Sequence, residues 1–178
     1  MAMRPIVATG DSSRPLTAEP QLVDLLDQLA TFGIVTFHDR RIKRSLLFID
    51  HVVVAPSGVY AIDERPWSRH VELRERGSWM QRSERLMVGS RNRTRLADAV
   101  VKKASLLRRE LRGFQIPVHP VLCFTDGDWP LWARPIEIRG ATVMWPKELE
   151  RRAKQLGRVN TQGLAAVAGV LEESLPNR

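Results

Sequence analysis

Apolar positions along the chain fall into two rhythms. Leu22, Leu25, Leu26 and Leu29 recur at helical spacing, and so do Leu96, Val100, Ala104, Leu107 and Leu111. Each set draws one apolar stripe along a helix. The first helix is expected from about Thr17, a capping residue, with Pro20 tolerated in its first turn and Gly33 closing it. The second is expected over residues 94–111, and two more over 146–156 and 162–175. The other rhythm is the short apolar run bounded by turn residues, which reads as a strand. Such runs lie at 34–37, 45–49 and 118–124, with weaker ones at 71–74, 85–88, 136–139 and 141–144. Residues 38–41, His-Asp-Arg-Arg, read as a polar loop, with Asp39 and its arginines as a salt-bridged group. Residues 1–16, rich in Pro, Gly and Ser, read as a loose arm before one α/β domain over 17–178.

One stretch departs from both rhythms. IDHVVVAPSGVYAIDER, residues 49–65, is an apolar hairpin with a carboxylate at the outer end of each strand. Pro56-Ser57-Gly58 supplies the turn, since proline presets φ and glycine accepts a backbone conformation other residues resist. A two-residue turn pairs residues whose numbers sum to 113 and sets Asp50 opposite Asp63; a three-residue turn shifts the pairing by one. The period of two puts Asp63 and Arg65 on one face, and Ile62 and Glu64 on the other. His51, next to Asp50, points away from it and reads as a satisfied internal histidine. Facing carboxylates lie ~5 Å apart at Cβ and repel unless a cation lies between them. A hard divalent ion, Mg²⁺ or Mn²⁺, meets that need, since it takes oxygen ligands from one or two carboxylates. The other reading is a surface hairpin whose end charges are solvated.

Charge adds a second line. The 178-residue chain carries 28 Lys and Arg against 20 Asp and Glu, a net charge of +8. The excess is concentrated: residues 91–112 hold Arg91, Arg93, Arg95, Lys102, Lys103, Arg108, Arg109 and Arg112 against Asp98 and Glu110. Such a stripe suits a polyanion, because each Lys or Arg that meets a phosphate releases a counterion; it also suits a solvated helix face. Arg91, Arg93, Arg95 and Lys102 are the candidate nucleic-acid contacts. Trp67 and Trp79 could stack on bases or pack as ordinary core and edge groups.

Several classes are excluded or disfavoured. Cys123 is the single cysteine, so disulfides and thiolate clusters are out. The remaining histidines lack ligand spacing to one another, Asp126-Gly127-Asp128 reads as turn chemistry, and no Gly-rich phosphate loop or Ser/His/Asp order is present. No apolar run approaches the roughly 18 residues of a membrane span. The first 15 residues carry no apolar stretch of signal-peptide type. Cytoplasmic residence is the expectation.

The hairpin string resembles the core of the nuclease-related domain, the NERD family of PD-(D/E)XK, restriction-endonuclease-like nucleases. TAEPQLVDLLDQL, FHDRRI, RLMVGSRNRTRLADAV and VHPVLCFTDGDWPL resemble further segments of actinobacterial members in the same order, covering roughly residues 17–146. The resemblance implies a central mixed sheet containing the acidic hairpin, with helices on both faces. It implies divalent-metal-dependent hydrolysis of phosphodiesters, in DNA first and with RNA left open. Asp50 would be the first metal-binding acid, Asp63 the acid of the motif, and Glu19 the helix carboxylate. Arg65 stands where the family usually has lysine, Lys103 where glutamine is common, and Phe48 where asparagine is common. Arginine holds its charge at any working pH, so Arg65 cannot serve as a general base. Arg65 and Lys103 would instead hold phosphate. The alternative is a nucleic-acid-binding or assembly module that keeps the fold without turnover. A pure protein-interaction domain would leave the basic segment unexplained.

Overall fold

The computed structural model describes residues 21–76 and 83–177. Glu19, Trp79, the expected arm and the expected first helical turn lie outside the described residues.

The hairpin forms the middle of the molecule. Strand β2 (Phe48–Ala55) turns through Pro56 and Ser57 into β3 (Gly58–Arg65). The pairs run from Ala55↔Gly58 to His51↔Ile62, all summing to 113, so of the two turns the sequence left open the two-residue one forms. Gly58 has φ +142°, and a Cβ there would lie 2.7 Å from His119 Nε2 and 2.8 Å from the Pro117 carbonyl. Any other residue would push the turn off its neighbour.

Strands β1 (Val35–Arg41), β7 (Val118–Phe124), β8 (Ile136–Ile138) and β9 (Ala141–Met144) complete a mixed six-stranded sheet in the order β1-β2-β3-β7-β9-β8. β7 runs parallel to β3 and to β9, the other neighbours antiparallel. A smaller antiparallel sheet holds β4 (Val71–Arg76), β5 (Ser83–Val88) and β6 (Arg91–Asn92).

The described residues form four α-helices: α1 (Leu22–Gln28), α2 (Thr94–Glu110), α3 (Pro146–Ala153) and α4 (Thr161–Ser174). A 3₁₀ turn, Leu29–Phe32, follows α1 and ends at Gly33 with φ +72°. Alternation along the hairpin assigns a helix layer to each face. Val53, Ala55, Tyr60 and Ile62 pack with leucines of α1 and with Leu149 and Ala153 of α3. Val52, Val54, Val59 and Ala61 pack with Ala104, Leu107 and Leu111 along α2 and with Leu164, Val167 and Leu171 of α4. Both faces are therefore dry, which is why the hairpin reads as a near-continuous apolar run.

Two local expectations are corrected. Residues 38–41 are the second half of β1, not a loop; Arg40 pairs with Glu172 and donates to the Leu175 carbonyl rather than to Asp39. Asp39 takes a left-handed φ of 48°, and the β1–β2 ladder skips the rung Asp39–Asp50. The short β6, placed by two pairs to β5, carried no apolar signal at all. No described helix is long and apolar enough to cross a membrane.

Candidate functional site

Asp50 and Asp63 sit one rung beyond the last hairpin pair, on the face covered by α2. Asp63 is fully buried. Its two carboxylate oxygens both accept from Lys103 Nζ, at 2.6 and 2.7 Å. Lys103 lies on α2 three residues after the buried Val100 and four before the buried Leu107, so its stem follows the apolar stripe and its ammonium reaches the sheet. Arg65, two residues beyond Asp63 on the same face, spans the pair: Nη1 lies 3.3 Å from Asp50 Oδ2 and Nη2 lies 3.4 Å from Asp63 Oδ2. Arg65 also donates to the Glu64 carbonyl, and the Glu64 N–H donates to Asp50 Oδ2 at 2.9 Å. The Asp50 side chain is 37% exposed, against 22% for Arg65 and 14% for Lys103. Burial raises the pKa of Asp63 above the ordinary aspartate value; Lys103 and Arg65 oppose that shift and the nearby Asp50 adds to it.

Asp50, Asp63, Arg65 and Lys103 thus lie in one cluster, with the cations paired to the acids. Among the described residues its charge is internally balanced, two carboxylates against two cations. This bears on whether Mg²⁺ or Mn²⁺ fits. Both oxygens of Asp63 are engaged by the ammonium, and Asp50 Oδ2 by an N–H and the guanidinium. Asp50 Oδ1 alone carries no hydrogen bond among the described residues. A divalent ion needs several oxygens facing one point with uncompensated negative charge. Among the described residues no group of three His, Cys, Asp or Glu side chains is placed to hold a metal ion. As the described residues are arranged, Asp50 and Asp63 do not fit the ion.

On the opposite face lies a second polar array, which sequence reasoning saw only in part. His51 is buried, as expected, and its Nε2 meets Glu64 Oε2 at 3.0 Å. Its Nδ1 meets His38 Nδ1 at 2.8 Å, and His38 Nε2 meets Asp27 Oδ1 at 2.9 Å. The chain Asp27–His38–His51–Glu64 ties α1, β1, β2 and β3 together. The signal for it was the direct pairing His38↔His51, hidden once residues 38–41 were read as a loop. Cys123 is fully buried, with its thiol pKa raised by burial and by the Glu64 charge; it is no nucleophile.

The basic candidates are placed apart from the acids. An open groove of about 530 Å³ is lined by Pro66, Trp67, Arg69, Arg91 and Arg93. A second hollow of about 660 Å³ takes Arg85, Arg93, Arg95 and Arg139, with Glu84 and Asp98. Arg93 borders both, its guanidinium 4.9 Å over the Trp67 ring. Trp67 also packs edge-on against Phe124. Lys102 is exposed on α2 and lines neither hollow. Arg69 and Arg85 were not singled out by the sequence; the turn between β3 and β4 and the β4–β5 pairing bring them to Arg91 and Arg93. Asp126 lies in a bend rather than a hydrogen-bonded turn, and Asp128 forms an isolated bridge with His70, its N–H donating to the Arg69 carbonyl.

The sequence model of the nuclease-related domain matches residues 15–125. No curated protein and no solved structure matches the chain.

Proposed function

The chain belongs to the nuclease-related domain family, and from that premise we propose that it is a nucleic-acid-binding module on a restriction-endonuclease-like fold, engaging DNA first. The observation that carries this reading is the open groove lined by Arg69, Arg91 and Arg93 beside Trp67. Among the described residues Arg69, Arg91 and Arg95 form no ion pair, so their charge faces solvent, where a phosphate backbone would meet it. Arg65 and Lys103, by contrast, spend their charge on Asp50 and Asp63, which supports binding in the groove over turnover at the acids.

A second reading, phosphodiester hydrolysis dependent on Mg²⁺ or Mn²⁺, draws on one observation: the family's two acids do converge, on a single guanidinium. It requires Lys103 to leave Asp63.

The test uses fluorescently labelled single- and double-stranded DNA and RNA oligonucleotides, read by anisotropy in EDTA and in Mg²⁺, with gels for cleavage. Binding in EDTA that weakens steeply with salt supports the module. Each of Arg91→Ala and Arg93→Ala should lower the log–log salt slope by about one. Metal-dependent product lost in Asp63→Ala would favour the second reading. Absence of binding to every oligonucleotide at low salt would sink both.

A further inference from the structure

We propose that Lys103 is a resident cation that takes the place of a divalent ion at Asp63, so that the free protein has no Mg²⁺ or Mn²⁺ site there and removing this one charge creates it. The inference deepens the reading of the acidic cluster, and rests on it only for the cluster's place in the site. Its physical content concerns charge and space alone.

The geometry is that of an ion cradle already filled. Nζ lies 2.6 and 2.7 Å from the two oxygens of one carboxylate, a bidentate embrace that side-chain ammonium groups share with small cations. Asp63 is fully buried, so no water is at hand to screen it, and burial already disfavours its charge. The ammonium arrives on a rigid element, in the middle of a 17-residue helix that buries Val100, Ala104 and Leu107 on the same side. Arg65 closes the remaining side and shares itself with Asp50. A divalent ion entering this cluster would face two fixed positive charges within a few ångströms and two carboxylates already balanced. At that range like charges repel strongly at any effective interior dielectric.

The charge count then predicts what each change does. With Lys103→Gln the cluster becomes one cation against two carboxylates. The Asp63 oxygens lose the ammonium that engages both of them, and Asp50 Oδ1 already carries no hydrogen bond among the described residues, which leaves carboxylate oxygens of the kind a hard ion needs. Lys103→Arg keeps the positive charge and leaves the cradle filled. Lys103→Gln with Asp63→Asn removes the anion as well, and restores a cluster of one cation and one carboxylate.

Binding of Mn²⁺ is measured by water-proton relaxation or electron paramagnetic resonance on the full chain in the absence of nucleic acid. The outcome is thus independent of whether the protein binds or cleaves anything. Wild type and Lys103→Arg are expected to show no saturable Mn²⁺ site that depends on Asp63. Lys103→Gln is expected to bind Mn²⁺ about a hundredfold more tightly than wild type or better, and the double variant is expected to lose that gain. Because Lys103→Gln strips a buried acid of its main partner, its thermal unfolding is followed in parallel. A variant that unfolds early in EDTA and is rescued by millimolar Mn²⁺ supports the proposal as directly as a titration. A wild-type Mn²⁺ site abolished by Asp63→Asn overturns it. So does a Lys103→Gln protein that Mn²⁺ neither binds nor stabilises.

Discussion

The two faces of one hairpin solve the same problem in different ways. Each carries acidic side chains into a sheet that helices cover. On the α2 face Asp63 is buried completely and answered by formal charge: an ammonium on both oxygens and a guanidinium shared with Asp50. On the α1 face Glu64 and Asp27 keep partial contact with solvent and are joined through two imidazoles. Dielectric decides the difference. A carboxylate that water still reaches needs only hydrogen-bond donors, whereas one sealed in the core loses its hydration and needs a countercharge. The charged face is therefore the less forgiving of the two, and the imidazole face should degrade gradually.

The sharpest way to break that contrast is to remove one partner on the charged face. Lys103→Met should cost about 3–5 kcal/mol in urea denaturation, because the buried carboxylate is left with Arg65 alone. Replacing both, as Lys103→Met with Asp63→Leu, should recover most of the loss. If the double variant is no better than the single, the charge is not what Lys103 supplies. On the other face, His51→Ala should cost less, about 1–3 kcal/mol, the range for a buried group that leaves a cavity and unpaired neighbours. The two losses should add in the combined variant to within the coupling that Glu64 carries, its side chain meeting His51 and its backbone meeting Asp50 and Arg65. Strong non-additivity would show that the hairpin transmits strain between them.

How far this arrangement was legible in the sequence differs by face. Pro56-Ser57-Gly58 narrowed the hairpin register to two possibilities; the siding of Arg65 with Asp63 followed in either, because a period of two leaves no freedom within a strand, whereas the facing of Asp50 and Asp63 took the structure's two-residue turn. Lys103 was legible as a position but not as a partner. A lysine between Val100 and Leu107 in an apolar stripe announces a buried anion, yet nothing local says which one; that takes the packing of α2 over β3. The His38–His51 contact was out of reach for a different reason. It depends on β1 continuing through a run of polar residues, and polar residues in a sheet edge strand look like a loop until the helix that covers them is known. The groove fared similarly. Arg91, Arg93 and Arg95 stood out by charge density, while Arg69 and Arg85 reach them only through the small sheet.

Acidity offers a gentler probe of the same asymmetry. The pKa of Asp63 is raised in the folded protein by burial. The stability its protonated form contributes is fully present below the unfolded value near 4, and is lost as pH rises through the folded value. Asp63→Asn has no such group, so its stability relative to wild type should climb with pH across that window. Only the slope is diagnostic, since the substitution also changes what Lys103 meets. Glu148 supplies the opposite sign as an internal control. Its pKa is lowered chiefly by the Arg151 hydrogen bond, with Arg152 adding to it, so its contribution is present above the unfolded value and fades as pH falls through the folded one. Glu148→Gln should therefore flatten the acid limb of the stability curve, where Asp63→Asn does not.

The smallest effect is expected at the outer end of the imidazole chain. Asp27 is more than half exposed, and its bond to His38 is the most solvated of the three contacts. Asp27→Asn keeps an acceptor oxygen at the same place and removes the charge, so stability should change by no more than about 0.5 kcal/mol, the scale of an exposed ion pair. Asp27→Ala should cost slightly more, because Thr36 Oγ1, 3.4 Å away, loses the same acceptor. The comparison between the faces sets the stakes. A loss at Asp27 as large as that at Lys103 would mean the imidazole chain acts as one electrostatic unit whose charge must be balanced end to end. The imidazole face would then be no more forgiving than the charged one. Equilibrium urea unfolding of the two Asp27 variants beside Lys103→Met distinguishes these outcomes in a single series.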